Sequence, residues 1–261
     1  MAFIQCDFYS EVLGVSTSVN VLLPEQTSTQ IGMEGRSSGR KHPTLYLLHG
    51  LSDDHSIWMR RTAVERYAAP LGVAVIMPNI GRSFYTDMAC GYNYWTFLSE
   101  ELPRVCQSFF PLSDRQEDTF VAGLSMGGYG AFKWALRQPG RFAAAASLSG
   151  AMRVQEMAER VPHDYRLIFG EGKELAAEND LFALAAKAAE EKTALPRLYQ
   201  CCGTTDFLYE ENTAFRDHLT SLGIPSHYEE EEGTAHEWAY WDRQIAKVLN
   251  WLPLHGPKDK E

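Results

Sequence analysis

Ser125 stands between glycines in Gly123-Leu124-Ser125-Met126-Gly127, directly after the apolar run Phe120-Val121-Ala122 and before MGGYGAFKWALRQ, which reads as a helix. A strand that turns at once into a helix strains its turn residue and holds it out at the sheet edge. The new helix aims its free N–H groups and positive dipole end at whatever sits there. A serine in that place is a candidate nucleophile. Because its hydroxyl is weakly nucleophilic, it needs a base within hydrogen-bond reach and an acid to orient that base.

The acid and then the histidine should follow in the chain. Asp206 lies just past the apolar stretch RLYQCCG, and His236, in GTAHEW, follows the last predicted strand. Two readings of Asp206 stand: the orienting acid, or a cap for the helix beginning near Leu208. Glu210, Glu211 and Asp217 are rival acids, placed inside that helix and read as facing water. Among the later histidines, His218 is mid-helix, His227 is in a strand and His255 is in the tail, so His236 is the candidate base, against a helix-start histidine with no role. Attack by the serine creates an oxyanion that two backbone N–H groups should face. Met126 supplies one, and Leu51 in LLHGLSDDHSIW the other, with Gly50 letting the chain turn. His49 is read as holding this loop, and Asp53, Asp54 and Ser56 as caps for the helix carrying Trp58.

Positioning these groups takes a mostly parallel sheet. Apolar runs at VSTSVNVLL, TLYLLHG, VAVIMP, TFVAGLS, AAAASLSG, RLYQCCG and HYEEEEG alternate with helical stretches near 56–69, 94–109, 126–138, 208–222 and 236–251. That rhythm predicts a doubly wound α/β fold, a three-layer sandwich with helices on both sheet faces, in one domain over 1–261. Residues 25–41 are polar and Gly/Ser-rich and read as an exposed loop; 151–195 reads either as a lid or as extra helices, and 255–261 as a frayed tail.

Composition excludes several partners. A net charge of −10 with no Lys/Arg cluster argues against nucleic acid. No apolar stretch is long enough to span a bilayer and the first residues lack a signal-peptide pattern, so a soluble, cytoplasmic protein is expected. Five cysteines show no disulfide or zinc spacing. Phe84, Tyr85, Tyr92, Tyr94, Trp95 and Trp238 lie in or beside loops expected to border the serine, where an apolar wall would suit a small acyl or aromatic group; each taken singly also fits core packing. Asp87 is a candidate for shaping the alcohol side.

The motifs LLHGLSDDHSIW, MPNIGRSFYTDMACGYNYWTFLSEELP, VAGLSMGGYGAFKWAL and GTAHEWAYWD together resemble the esterase D superfamily of α/β-hydrolases, nearest its bacterial tributyrin esterase branch, over about residues 3–252. The resemblance implies an α/β-hydrolase fold, Ser125, Asp206 and His236 as triad, and the N–H groups of Leu51 and Met126 as oxyanion hole. It implies hydrolysis of small-molecule short acyl esters with no metal or organic cofactor, often in a homo-oligomer. The SFYTD segment departs from the S-formylglutathione hydrolase pattern and favours esters over thioesters; the 25–41 loop is longer than the branch leads one to expect. The alternatives are a thioesterase or carbohydrate acetyl or feruloyl esterase using the same residues, and a non-catalytic binding module, which the intact Ser125, Asp206 and His236 argue against.

Overall fold

The computed structural model describes residues 1–37, 41–172 and 175–254. Its strands are β1 (Ala2–Ser10), β2 (Val15–Leu23), β3 (Thr44–Leu48), β4 (Ala74–Pro78), β5 (Thr119–Leu124), β6 (Ala144–Leu148), β7 (Arg197–Gly203) and β8 (Ser226–Glu231), joined in one sheet ordered β1-β2-β4-β3-β5-β6-β7-β8. β1 and β2 run antiparallel, as do β2 and β4; every other pairing is parallel. The loops after β3, β5, β7 and β8 therefore leave from the same edge.

Alternation along the strands sorts the core into two layers. Tyr46, Leu48 and Val121 face one cluster, which includes Phe132, Trp134 and Phe215. Leu45, Leu47, Phe120 and Ala122 face the other, with Trp58, Trp241 and Ile245. Side chains successive along a strand point to opposite faces, so a strand buried on both sides is apolar throughout. β3, β4 and β5 are buried at every position.

Three sequence expectations change. β1 was not anticipated: it is an edge strand whose residues are mostly exposed or half-buried, so its apolar signal is diluted by Gln5 and Asp7. The helical stretch at 56–69 is two short helices, Ile57–Arg61 and Val64–Ala68, with Thr62 extended between them. Residues 94–109 form a turn at Tyr94–Thr96, a widened π-type stretch at Phe97–Glu101 and a regular helix at Leu102–Phe109. The widening ends at Glu101, and Pro103 sits in the first turn of the regular helix, where its missing N–H is tolerated.

The remaining long helices, Met126–Arg137, Tyr209–Ser221 and Trp238–Trp251, fall where expected. Residues 25–37 hold neither helix nor strand beyond an isolated bridge between Thr27 and Gly35, and residues 38–40 and the tail 255–261 lie outside the described residues. Among the described residues no helix is long and apolar enough to cross a membrane.

Candidate active site

β5 ends at Leu124 and the helix starts at Met126, leaving Ser125 alone at the turn with φ 53° and ψ −119°. A non-glycine residue with this backbone is strained and persists only where its surroundings over-determine it. Here the Ser125 N–H donates to Leu148 O at 2.9 Å, while its carbonyl accepts from Tyr129 and Ala151. The flanking glycines are steric requirements: a Cβ on Gly123 would stand 2.3 Å from Gly127 O, and one on Gly127 would stand 2.5 Å from Leu48 O.

Past β7, the two carboxylate oxygens of Asp206 serve different partners. Its Oδ1 accepts the Leu208 N–H at 2.9 Å, a turn bond just ahead of the helix Tyr209–Ser221, which has no side-chain cap, so the capping reading is not met; its Oδ2 faces His236 Nδ1 at 2.8 Å. The carboxylate is wholly buried and the imidazole 19% exposed. With a carboxylate as partner, Nδ1 of the neutral ring carries the proton and Nε2 is left as an acceptor. Trp241 meets the ring edge-to-face at 4.7 Å and Phe207 packs at 4.6 Å. Of the other histidines, His218 faces Phe182 O and His227 faces Glu229. Glu211 corrects the expectation that it faces water: it is buried, pairs with Arg160 and accepts the Arg153 N–H at 2.9 Å. Its burial raises its pKa.

The loop after β3 lies against the turn serine, since a Cβ on Gly50 would stand 3.8 Å from the Ser125 Cβ. His49 is buried; its Nδ1 lies 2.7 Å from Gly50 O, and its Nε2 accepts the Ile80 N–H at 3.0 Å. Those two partners admit only the neutral Nδ1–H tautomer. Desolvation pushes the His49 pKa down to about 4. None of the three expected caps makes a side-chain cap bond on the helix Ile57–Arg61: Asp54 accepts from Ser56 N and Oγ, and Asp53 folds back against Gly50, with its Oδ2 2.8 Å from a Cβ built there. Burial raises the Asp53 pKa, and His236 is near enough to attract it electrostatically. Among the described residues no group of His, Cys, Asp and Glu could hold a metal ion.

The family model described as "Putative esterase" matches residues 10–252. The chain belongs to this esterase family. A curated acetyl esterase of Caldicellulosiruptor saccharolyticus is 33% identical over 97% of this chain and 98% of its own length. Two solved Staphylococcus aureus proteins, the substrate-bound fluorophosphonate-binding serine hydrolase F and an S-formylglutathione hydrolase, are each 36% identical. Each match covers 96% of this chain and 98% of the other, with TM-scores of 0.87 and 0.84. The esterase is thus a carboxylic ester hydrolase of the α/β-hydrolase fold within an esterase D-like superfamily.

Around the esterase site, the aromatic residues divide. Phe84, Tyr85 and Trp95 are buried in the layer beside the helix Met126–Arg137 rather than standing as an open wall, because their loop is drawn inward. Trp238 is half-buried between Trp58 and Trp241, and Tyr92 is exposed against Tyr94. Asp87 accepts from Thr96 N and Oγ1, which assigns it a local structural task. Phe207, 62% exposed beside His236, escaped the sequence reading; its place after Asp206 was the available signal.

The 151–195 segment holds helices with different surroundings. The helix Leu181–Glu190 packs through Phe182 on Phe215 as an extra layer. The helix Pro162–Phe169 borders the site: Arg82 bonds Asp164 through Nε at 2.9 Å and Nη2 at 2.7 Å, and its Nη1 reaches Leu51 O at 3.4 Å. Arg160 lies 5.6 Å from the Phe207 ring centre.

Proposed function

We propose that this esterase cleaves short-chain acyl esters through a covalent acyl-enzyme on Ser125. His236 Nε2 takes the Ser125 proton as Oγ attacks the acyl carbonyl, and Asp206 holds the imidazole in the Nδ1–H tautomer and stabilises the imidazolium. The oxyanion is received by the N–H groups of Leu51 and Met126. His236 then returns the proton to the leaving alcohol, the C–O bond breaks, and water deprotonated by the same ring releases the acid and frees Ser125.

The observation that carries this reading is the Asp206–His236 pair at 2.8 Å, held at the sheet edge from which the strained Ser125 turn also projects. The approach of Gly50 to Ser125 supports Leu51 as a donor, and the start of a helix at Met126 supports the other. The tributyrin esterase branch, a single domain, a cytoplasmic setting and homo-oligomeric assembly belong to the same proposal, on the strength of the four motifs. A thioester substrate is the second reading, favoured by the solved S-formylglutathione hydrolase at 36% identity.

Hydrolysis of p-nitrophenyl esters of increasing acyl length, by the wild type and by Ser125→Ala, tests the proposal. Turnover confined to short acyl groups and lost in the variant is expected. Equal rates in the two proteins would refute it, and faster turnover of S-formylglutathione than of any simple ester would move the assignment to thioesters.

A further inference from the structure

Lys133 lies inside MGGYGAFKWALR, the helix that begins next to Ser125, and is fully buried. Its Nζ donates to Tyr85 O and to Thr86 Oγ1, both at 2.8 Å, and faces the rings of Trp95 at 5.2 Å and Tyr129 at 5.5 Å. Burial drives its pKa well below the ordinary lysine range, with Arg137 adding to the effect. An ammonium in such a place is costly, and it is retained where its hydrogen bonds fix something that a hydrocarbon could not.

What it fixes is a strained pair. Phe84 and Tyr85 have φ of 47° and 53°, consecutive left-handed residues that are not glycine. The Tyr85 ring is seated on Gly130, where a Cβ would come within 2.4 Å of it. Gly130 and Lys133 are three apart and share one helix face. From that seat the Tyr85 hydroxyl donates to His49 O at 2.7 Å. The His49 ring in turn holds Gly50 O at 2.7 Å. In a planar trans peptide the C=O and N–H point opposite ways, so holding Gly50 O sets the direction of the Leu51 N–H.

We propose that Lys133 is a positioning residue of the esterase site: through Tyr85 it fixes the His49-Gly50-Leu51 backbone so that the Leu51 N–H points at the oxyanion. The proposal rests on the reading of Ser125 as nucleophile and Leu51 as oxyanion donor. Its consequence is that both donors are registered to one rigid body. The helix that supplies the Met126 N–H also carries the amine and the glycine seat that place the other donor, which comes from a different strand.

The test compares Tyr85→Phe, Lys133→Met and the double variant with wild type and Ser125→Ala on p-nitrophenyl acetate, with active-site titration to count competent molecules. A misplaced donor should lower kcat roughly tenfold to a hundredfold. KM should stay within about twofold, because the lost interaction is made in the transition state. An alkyl boronic acid, which becomes a tetrahedral anion on the serine, should weaken by the same factor as kcat. The double variant should be no worse than the worse single one, since both act through one chain of contacts. Tyr85→Phe removes a single oxygen and decides the matter even if Lys133→Met does not fold. Full kcat and full boronate affinity in titrated Tyr85→Phe, with Ser125→Ala inactive, would overturn the clamp alone. An active Ser125→Ala would overturn the underlying reading and the clamp with it.

Discussion

The two sides of the site are held by different forces. Behind Ser125, the backbone is fixed by buried hydrogen bonds: Leu148 to the Ser125 N–H, Ile80 and Gly50 to the two nitrogens of His49, Tyr85 to His49 O. Across the mouth, the 157–169 region is anchored in the core by Met157 and Ile168, and the bonds it makes toward the site are ion pairs whose arginines stand in water, with side-chain exposures of 50% for Arg82 and 37% for Arg160. Buried bonds of the first kind are directional and expensive to break. Exposed ion pairs contribute little and are screened by salt. On the proposed mechanism the chemistry falls on the side fixed by buried bonds, and the arginine-paired side is the one left to adapt to a substrate.

Substitutions rank the two sides. The largest loss is expected at the nucleophile: Ser125→Ala should lower kcat by about 10⁴-fold or more in p-nitrophenyl acetate assays. Asp206→Asn should follow at roughly 10³–10⁴-fold, because the amide presents the wrong tautomer to His236. A loss below tenfold would reduce Asp206 to its local turn bond with Leu208.

His49→Ala should destabilise the fold by about 1–3 kcal/mol in denaturant titrations, because it leaves the buried Ile80 N–H without its acceptor. His49 also predicts a pH dependence. Its folded pKa of about 4 lies below the ordinary 6.5, so between those values the unfolded chain binds the extra proton. Its contribution is complete above pH 6.5 and is lost as pH falls toward 4, by roughly 3 kcal/mol. Melting curves over that window should show the slope in the wild type and a shallower one in His49→Ala.

The smallest effects belong to the mouth. Arg82→Gln should change stability by no more than about 1 kcal/mol and leave acetate turnover within a few-fold, while altering the relative rates of longer acyl chains. If Arg82→Gln cost as much stability as His49→Ala, the contrast between the sides would fail.

How much of this was legible in the sequence follows the same division. The elbow, the strands that carry it and the order Ser125, Asp206, His236 are written in local patterns, because a turn between a buried strand and a helix leaves glycines and an apolar run. His49 was legible as a loop-holding residue. The rest depends on tertiary approach. Asp53 and Asp54 are adjacent in sequence yet turn to different tasks. The inward course of Phe84 and Tyr85 is set by Lys133, some fifty positions away. A lysine amid GAFKWAL was the one visible sign of it, and Glu211 likewise gave no hint that it would be buried and paired with Arg160. β1 was lost because only its Ile4-Cys6-Phe8 face packs on the core, while its exposed face mixes Phe3 and Tyr9 with Gln5 and Asp7 and blurs the alternation.

The most direct test of the central claim is to label the protein with a fluorophosphonate, which phosphonylates an activated serine, and to map the adduct by peptide mass spectrometry. A single adduct on Ser125, absent in His236→Ala, is the predicted result. An adduct on another serine, or unchanged labelling of Ser125 without His236, would contradict it.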